Sequence, residues 1–560
     1  MATDPERGNA AILYHPEGYT TTSSKLMGRH AAGEGFLQGF FRHAEADCFY
    51  AYAGREEHYN EFRQNAVALT GNCNTVWIPQ SMPERISEVG ALYLPGPDLA
   101  PHAWVRSCRD PSSYSITGVT HTICSDRVMD SLGTLLVAPV ERWDAVICTS
   151  RVVKSSIVRL LEGYGEYLAK RLQAPLPAIK PELPIIPLGV DCNAFVMTAE
   201  TASARQRLRE KYGVGTDDIL VLYMGRLSYH AKAHPLPMYM GLEAAARTSK
   251  RKIWLFQAGW FPNNYIEQEF IRAAQQLCPS VRMIIVDGRK PGIRRNIWFA
   301  ADIFISLSDN IQETFGITPI EAMSAGLPVV VTDWDGYRDT VKEGETGFLV
   351  PTTMPAENGE ELAWRFLVGL DTYDRYIGYA SQNVAVDINA TTQALTTLVR
   401  DSELRKRMGD CGRERARKYY DWSVIIHQYQ ELWTELTVRR KKAQDSEASQ
   451  PYRTAPLRPD PFWLFSDYPT RVINPETSVS FLVSDPEETL HHLLKLNMNR
   501  YAATFLLSSA EVAALFKVIE ARQGIILVNR LLEEYPLDRH STLQRTLAWL
   551  AKLGIIKLAD

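Results

Sequence analysis

The sequence predicts an α/β protein with two doubly wound, Rossmann-like domains in tandem and a small, mainly helical domain after them. Short apolar runs alternate with stretches of helical spacing, and several runs are continuous, as in strands buried on both faces of a parallel sheet. A proline-rich passage at 174–187 interrupts this alternation, which then resumes. Because a series that stops and restarts needs two sheets, we expect two separate cores.

Length and composition agree with several globular domains. The chain has 560 residues, and roughly 150 residues per domain predicts three or four domains. Hydrophobic residues make up 45% of the chain and charged residues 22%, which excludes disordered and fibrous classes. With 61 Lys and Arg against 65 Asp and Glu, the net charge of -4 supplies no broad positive field, so nucleic acid is not an expected partner.

The chain start and the cysteines indicate a reducing compartment. The first residues are polar and unlike a secretory signal, and no apolar run approaches the roughly 20 residues that a membrane span needs. The 8 cysteines are scattered without a C-x-x-C pair, so neither a zinc site nor a disulfide framework fits. We expect a cytoplasmic protein with at most peripheral contact at the inner membrane surface.

The first domain is predicted at 1–187 and the second at 188–442. The predicted strands of the first domain are the apolar runs at 10–14, 47–53, 90–94, 114–120 and 144–149. Those of the second domain are at 219–224, 252–258, 281–286, 302–307 and 328–332. One long charged helix, at about 401–442, is predicted to close the second series, and its basic end suits the negative end of the helix dipole.

A polar, proline-rich linker is predicted at 443–475, and an accessory domain follows at 476–560. Its predicted elements are three short helices and a final strand, at 508–521, 528–534, 541–553 and 554–558. This order, with a glycine stop, is typical of a winged helix. From Arg500 onward there are 8 Lys and Arg and 6 Asp and Glu. Because this part is barely basic, we expect it to contact a protein partner or to self-associate rather than to read DNA.

Two basic residues follow the first strand of the second domain. Gly225 and Arg226 stand directly after the strand, and Lys232 stands a few residues further on. Both basic side chains stay cationic at neutral pH and can reach one diphosphate, where Arg contacts two oxygens at once. A surface turn with two solvated bases is the alternative interpretation.

A helix start follows the fourth strand of the second domain, where the sequence reads ETFGITPIE. Thr318 with Glu321 predicts a capping box, with Pro319 as the first helical residue. The free N–H groups would then face the cleft, and Gly316 would let a phosphate approach them. Glu313 can accept hydrogen bonds from sugar hydroxyls, whereas the capping box alone would explain Glu321.

The first domain contributes a glycine-rich stretch, GRHAAGEGF at 28–36, after its first strand. We expect a strand-to-helix turn in which Gly33 and Gly35 cradle phosphate or leave room for an acceptor. The stretch is not G-x-G-x-x-G and lacks the acidic residue that a dinucleotide site requires.

Taken in order, these motifs resemble the retaining nucleotide-sugar glycosyltransferases of the GT-B architecture (family 4-like, glycosyl transferases group 1). The resemblance rests on Gly-Arg-Leu…Lys at 225–232 and on Glu-x-Phe-Gly-Ile-x-x-x-Glu-Ala-Met-x-Ala-Gly-x-Pro-Val-Val at 313–330. The linker Ile-Pro-x-Gly-Val-Asp at 186–191 and Tyr-Asp-Trp at 420–422 match as well. The resemblance covers about 10–435 and is strongest in the second domain.

The resemblance implies a role for each matching residue. Arg226 and Lys232 would hold the donor diphosphate and stabilise the leaving group, and Glu313 would bind hydroxyls of the donor sugar. Glu321 would bind the ribose, and His121, after the fourth strand, aligns with a family histidine near the donor sugar. The other donor-binding positions are those whose backbone or small size would face phosphate and sugar: Gly33, Gly35, Gly225, Phe315, Gly316 and Ile317.

Two features depart from the family pattern. Five residues rather than four separate the Arg and the Lys in 226–232, so His230 or His234 could substitute locally. Asp335-Gly336 replaces the usual Gly-Gly and makes 333–335 read D-x-D, a metal–diphosphate signature of another glycosyltransferase architecture. Its place after a strand and before glycine favours a turn. We expect no metal, because basic residues and the helix N-terminus already supply positive charge.

The expected function is retaining, metal-independent hexosyl transfer in polysaccharide biosynthesis. No permanent cofactor is expected; the donor would be a UDP-, GDP- or ADP-linked sugar, and the acceptor a glycan, a lipid or a small molecule. Two other function classes stay open. One is a non-catalytic sugar-nucleotide sensor that signals through the C-terminal domain, and the other is a GT-B epimerase or phosphorylase. Hydrolysis or transfer of bound donor would separate an enzyme from a sensor, and an epimerised product would identify the epimerase.

Overall fold

Both predicted sheets are present, and they confirm the predicted fold class, α/β with two tandem Rossmann-like domains. The computed structural model describes residues 8–19, 28–446 and 451–559. The chain divides into two units, 1–455 and 456–560, and this division falls inside the stretch predicted as a linker.

The first sheet has six parallel strands. They are β1 (Ala11–Leu13), β2 (Cys48–Ala53), β3 (Asn74–Pro79), β4 (Ala91–Leu94), β5 (Ser115–Val119) and β6 (Ala145–Ile147). The helices are α1 (Gly28–His43), α2 (Glu56–Thr70), α3 (Ala100–Ser107), α4 (Asp126–Gly133) and α5 (Arg151–Leu172). The order across the sheet is β3-β2-β1-β4-β5-β6, which is the order of Rossmann folds.

The second sheet repeats this topology. Its strands are β7 (Ile219–Met224), β8 (Ile253–Gly259), β9 (Arg282–Asp287), β10 (Ile303–Ser306), β11 (Val329–Thr332) and β12 (Gly347–Val350), in the order β12-β11-β10-β7-β8-β9. Its helices are α6 (Ala199–Tyr212), α7 (Leu236–Ser249), α8 (Asn264–Leu277), α9 (Pro291–Ala300), α10 (Ile317–Ser324) and α11 (Tyr337–Thr340). A short antiparallel pair, β13 (Thr352–Thr353) and β14 (Ala385–Val386), follows with α12 (Glu360–Leu367), α13 (Tyr373–Ser381), α14 (Ile388–Arg400), α15 (Ser402–Tyr420) and α16 (Trp422–Ser446).

Burial explains why the continuous apolar runs predicted these strands. All six residues of β7 are buried. Leu220 and Leu222 pack into the core on one face of the sheet, and Val221 and Tyr223 pack into the core on the other face. A strand covered on both faces has no polar side to alternate with, so its sequence is apolar throughout.

Two strands of the parallel sheets, β3 and β12, were not predicted, and both lie at sheet edges. An edge strand has one neighbour and is partly open to solvent. Most residues of β3 are only half-buried, and one is exposed. Such strands lack the continuous apolar run on which the prediction relied.

The predicted single closing helix is wrong, because the chain breaks at Asp421 into α15 and α16. Asp421 takes an extended conformation with φ -66° and ψ 141°. The N–H of Val190 donates to the carbonyl of Tyr420 at 2.8 Å, and the N–H of Trp422 donates to the carbonyl of Val190 at 3.2 Å. The linker between the sheets therefore pairs with the chain at the break and replaces the helical hydrogen bonds there.

Helix α16 packs on the first sheet, which corrects the range 188–442 predicted for the second domain. The Trp422 ring lies so close to Gly35, Gly39 and Gly189 that a Cβ on each would come within 3.1 Å, 2.8 Å and 2.4 Å of it. Further along the helix, Trp433 is fully buried in the first core and donates to the Thr117 hydroxyl at 3.1 Å. The second domain's own core thus ends before this helix.

The second unit has its own core. Its elements are α17 (Pro461–Leu464), β15 (Ser478–Phe481), α18 (Pro486–Leu493), α19 (Ser509–Ala521), β16 (Ile525–Leu527), α20 (Val528–Glu533), α21 (His540–Lys552) and β17 (Ile556–Ala559). The three predicted helices and the final strand are confirmed, and the strands form an antiparallel sheet in the order β16-β15-β17. Within the described ranges no single helix could span a membrane; a pair bent by 90°, 497–505 with 509–521, meets the length and composition limits together.

Candidate active site

The predicted second-domain site lies at the carboxyl ends of β7 and β10. Gly225 and Arg226 directly follow β7, and the loop after β10 leads to Glu313 and α10. The order of strands reverses between these two neighbouring strands, so the loops after them diverge and leave a crevice. Ligands of doubly wound sheets bind at this place.

Lys232 and Glu313 are in direct contact across this crevice. The Lys232 ammonium donates to a Glu313 carboxylate oxygen, and the two side chains are 23% and 12% exposed. A Cβ on Gly225 would stand 3.7 Å from Lys232 Cε and 3.3 Å from the Tyr223 hydroxyl. Glycine at this position therefore leaves the space beside the lysine open.

The extra residue between Arg226 and Lys232 does not separate the two basic residues. The Arg226 Nη2 atom donates to the carbonyl of Ala231 at 2.7 Å, which brings the guanidinium back to the residue before Lys232. The flanking histidines do not supply a positive charge in place of the lysine. Burial lowers the pKa of both His230 and His234, so both are neutral at pH 7.

Helix α10 starts two residues earlier than predicted, and the predicted capping box is wrong. Gly316 is the N-cap residue, with a left-handed φ of 84°, and no side chain caps the helix, so Pro319 is its third residue. A Cβ on Gly316 would stand 1.9 Å from the Tyr337 ring. The helix therefore begins at the one residue type that fits this conformation beside that ring. Phe315, just before it, is buried in the second core.

Glu321 is left without a capping role. In the described part of the chain, no hydrogen bond or ion pair involves its carboxyl group. Burial raises the pKa of Glu321 to about 7, and the nearby Arg294 opposes this rise. A carboxyl group that is desolvated and unpaired is suited to an added partner.

Gly33 and Gly35 do not form the predicted turn, because both lie inside α1. A Cβ on Gly33 would stand 2.1 Å from the Gly18 carbonyl oxygen, and one on Gly35 would stand 3.1 Å from the Trp422 ring. The two glycines therefore allow the helix to pack closely against its own domain's loop and against α16. Neither contact involves the loops of the second sheet.

His121 lies in a first-domain loop that touches the second domain. The loop follows β5, and Thr122 and Cys124 within it each lie 3.3 Å from the Tyr373 hydroxyl of α13. A second contact joins the domains where the Ser150 hydroxyl donates to the Thr314 carbonyl at 3.0 Å. The loops that carry His121 and Glu313 thus face each other across the crevice.

Two carboxyl groups near the site are buried, and their burial was not predicted from the sequence. Asp309 is 3% exposed, and burial raises its pKa to about 7. One of its oxygens accepts from the His234 N–H at 3.2 Å, and the other has no partner among the described residues. Burial and the neighbouring Glu313 raise the pKa of Asp335, which also keeps one oxygen unpartnered in that same part of the chain. Both residues follow strands of the second sheet, and Asp335 also belongs to the D-x-D stretch.

The D-x-D stretch at 333–335 lies in a turn before α11, and its two carboxylates differ in their surroundings. Asp333 pairs with Arg338 at 3.1 Å near the surface, whereas Asp335 is buried with a left-handed φ of 47°. Across the residues that the structure describes, no group of three His, Cys, Asp or Glu side chains is placed to hold a metal ion.

Comparison with known families agrees with this site. Residues 204–382 match the family model described as Glycosyl transferases group 1. The matched range contains Arg226, Lys232, Glu313 and Glu321. The glycosyl transferases group 1 match therefore covers the second-domain part of the site and excludes the first domain with His121.

Curated relatives and solved structures are similar to this chain over part of its length. A phosphatidyl-myo-inositol mannosyltransferase of Mycobacterium leprae (strain TN) is 32% identical over 132 residues, 24% of this chain and 26% of the relative. A D-inositol 3-phosphate glycosyltransferase of Corynebacterium efficiens is 28% identical over 254 residues, 45% of this chain and 51% of the relative. The chain thus spans about a quarter to a half of these relatives. The structure of Anabaena Alr3699/HepE in complex with UDP is 16% identical, with a TM-score of 0.49, and covers 76% of this chain and 100% of that one.

Proposed function

We propose that the protein is a retaining glycosyltransferase that moves a hexose from a nucleotide-diphosphate sugar to a glycan, a lipid or a small-molecule acceptor. The observation that carries the proposal is the Lys232–Glu313 pair, with Arg226 beside it, at the strand-order reversal within the matched range. The names of the relatives, a mannosyltransferase and an inositol phosphate glycosyltransferase, support sugar transfer.

The basic groups would act on the leaving group. As the glycosidic bond breaks, negative charge grows on the departing diphosphate, and Arg226 and Lys232 would offset it. The free N–H groups at the start of α10 would add to this effect, so no metal would be required. Removing one such preorganised donor costs about 100- to 1,000-fold in rate in well-studied enzymes.

The acidic groups would hold the donor's hydroxyls. Glu313, released from Lys232 by the diphosphate, would accept hydrogen bonds from the transferred sugar, and Glu321 would accept them from the ribose. His121 would approach the sugar from the first domain. The proposed retention would follow a front-face path, in which the leaving phosphate helps to deprotonate the acceptor and no enzyme nucleophile is needed.

The remaining parts of the proposal concern location and the second unit. We propose a cytoplasmic protein whose 476–560 part is a winged-helix domain that contacts a protein partner or a second copy. Sedimentation of the full chain across a hundredfold range of concentration tests whether two copies associate. If the measured mass stays that of one chain at every concentration, self-association is excluded and a different protein is the proposed partner.

Ligand-induced stabilisation tests the proposed donor site. The full chain would be melted with UDP, GDP, ADP and their common sugar conjugates, beside Arg226→Ala and the control Arg530→Ala, whose guanidinium pairs with Glu533 in the other unit. Binding at a hundred times Kd adds about 2.7 kcal/mol. We expect one nucleotide to stabilise the wild type and the control but not Arg226→Ala.

Product analysis separates the alternatives. Transfer or hydrolysis of the bound donor supports the transferase, and an epimerised donor supports an epimerase. Binding without any turnover favours the sensor. If no nucleotide raises the melting temperature, the proposed donor site is wrong.

A further inference from the structure

The Tyr373 hydroxyl joins three segments that meet at the crevice. It donates to the Gln312 side-chain oxygen at 3.4 Å, and it lies 3.3 Å from both the Thr122 hydroxyl and the Cys124 thiol. A phenol has one proton, so the Tyr373 hydroxyl donates to one of these groups and accepts from others, and in each first-domain contact either atom can be the donor. Burial raises the pKa of Tyr373, so the hydroxyl keeps its proton at neutral pH.

Gln312 continues this chain of contacts into the proposed donor site. Its side-chain nitrogen donates to the carbonyl of Ala231, and Arg226 donates to the same carbonyl at 2.7 Å. The amide orientation of Gln312 is thereby fixed at both ends, with nitrogen toward Ala231 and oxygen toward Tyr373. The carbonyl of Ala231 therefore accepts hydrogen bonds from both the Arg226 guanidinium and the Gln312 side-chain amide.

Three residues in this chain of contacts are sequence neighbours of residues proposed to act on the donor. Gln312 precedes Glu313, Ala231 precedes Lys232, and Thr122 follows His121. This chain of contacts passes a small apolar cluster in which Cys124, Ala231 and Ile377 are buried. The hydrogen-bonding contacts beside this cluster are partly buried.

We propose that Tyr373 and Gln312 are positioning residues, which couple contact between the first-domain loop and the second domain to the placement of Arg226, Lys232 and Glu313. The proposal rests on the proposed function, because it assigns these two residues to the same donor site. It predicts that the Tyr373 hydroxyl affects turnover more than donor binding. The donor would bind Arg226 whether or not the first-domain loop contacts Tyr373. Transfer would require that contact, because it places Arg226, Lys232 and Glu313 for the reaction.

The test removes only the hydroxyl, in Tyr373→Phe. The matched control is Tyr376→Phe, one turn further along α13, where the ring stacks on Phe366 at 4.5 Å and keeps that contact as phenylalanine. The contacts of Tyr373 are neutral and at the long end for hydrogen bonds. We therefore expect kcat to fall by about 3- to 10-fold, with the donor KM changed less than about twofold.

A second measurement needs no donor. Cys124 is 9% exposed, and its alkylation by iodoacetamide, followed by peptide mass spectrometry, reports how often the loop leaves Tyr373. We expect faster alkylation in Tyr373→Phe than in the wild type and in Tyr376→Phe. Alkylation of Cys148 in the same samples, which is 0% exposed, checks that the fold is intact.

A mutant cycle tests whether the effect passes through the loop. Thr122→Val removes one of the two first-domain partners of the Tyr373 hydroxyl, so Tyr373→Phe should lower kcat less in that background than in the wild type. Gln312→Glu keeps the acceptor for Tyr373 but loses the donor to Ala231, and we expect it to lower kcat at least as much as Tyr373→Phe does.

The outcomes separate this proposal from the proposed function. If Tyr373→Phe matches Tyr376→Phe in kcat and in Cys124 alkylation, the coupling is wrong. A raised donor KM with unchanged kcat also overturns it, because Tyr373 would then serve donor binding alone. A wild type with no turnover of any donor, together with faster Cys124 alkylation in Tyr373→Phe, overturns the proposed function and supports the coupling.

Discussion

Lys232 and Glu313 form an ion pair between the loop after β7 and the loop before α10. Both side chains are largely withdrawn from water, so each charge depends on the other for compensation. A donor that brings a diphosphate to the lysine and hydroxyls to the carboxylate would replace this pair with new contacts of the same kind. The pair therefore holds both side chains close to the positions that a donor would require.

Lys232→Ala tests the basic half of this pair. We expect the transfer rate to fall by about 100- to 1,000-fold, because the leaving diphosphate loses a preorganised cation. The matched control is Lys252→Ala, which removes a lysine paired with Asp218 at 2.8 Å at the opposite end of the same sheet. Steady-state release of nucleotide measures both variants. A loss of less than tenfold in Lys232→Ala would show that the lysine serves the fold rather than the leaving group.

Glu321 predicts a dependence of stability on pH. Burial raises its pKa from the ordinary value of 4.5 to about 7, so between these values the folded chain holds a proton that the unfolded chain has released. The free energy of unfolding should therefore fall as the pH rises from about 4.5 to about 7. Asp309, with a pKa also raised to about 7, acts in the same direction.

Glu321→Gln isolates the first of these two groups. The variant has no titrating carboxyl at this position, so its stability should fall less than that of the wild type over the same pH range. Urea unfolding at several pH values between 4.5 and 8 measures the difference. Parallel curves for the two proteins would contradict the assigned pKa.

Local sequence predicts the central strands and the edge strands β6 and β9, but not the edge strands β3 and β12 or the helix break. The run in β7 is apolar throughout, and that in β8 is apolar apart from Gln257, because both faces of these strands are covered. This cause is visible in the local sequence. The break at Asp421 has a distant cause, since Val190 supplies its replacement hydrogen bonds. No periodicity in α15 or α16 reports a partner more than two hundred residues away.

The site shows the same division between local and distant causes. Arg226 and Lys232 were predicted because basic residues after a buried strand suit a diphosphate, and both lie in the loop after β7. Gly33 was assigned wrongly because a glycine that admits a ligand and one that admits a carbonyl oxygen look alike in sequence. The burial of Asp309 and Asp335 was not predicted, because it depends on neighbouring loops that local sequence does not record.

Asp144→Ala tests how much the buried ion pair between Asp144 and Arg106 stabilises the first domain. Asp144 is fully buried and accepts from Arg106 at 2.6 and 2.7 Å, and from the N–H of Ile116 at 2.8 Å. The variant leaves the guanidinium without its counter-charge, so we expect a loss of about 3–5 kcal/mol in the free energy of unfolding. Glu533→Ala, which breaks an exposed pair with Arg530, should cost at most about 1 kcal/mol. Equal losses in urea would mean that Arg106 finds another partner.

Gly316→Ala tests the start of α10, and Gly344→Ala is its control. Both glycines have left-handed φ values, 84° and 71°, so alanine is strained at either by about 1–2 kcal/mol. At Gly344 a Cβ meets no atom within 4 Å, whereas at Gly316 it meets the Tyr337 ring at 1.9 Å. Overpacking should therefore add about 1–3 kcal/mol at Gly316 alone.

The difference between these two variants measures how firmly the Tyr337 ring is held. Tyr337 is fully buried, and its hydroxyl lies 2.8 Å from that of Ser306, so the ring cannot turn away without breaking this contact. Urea unfolding of both variants should place Gly316→Ala below Gly344→Ala. Equal stability would mean that the ring moves aside at no cost, and the helix start would then not be fixed by glycine.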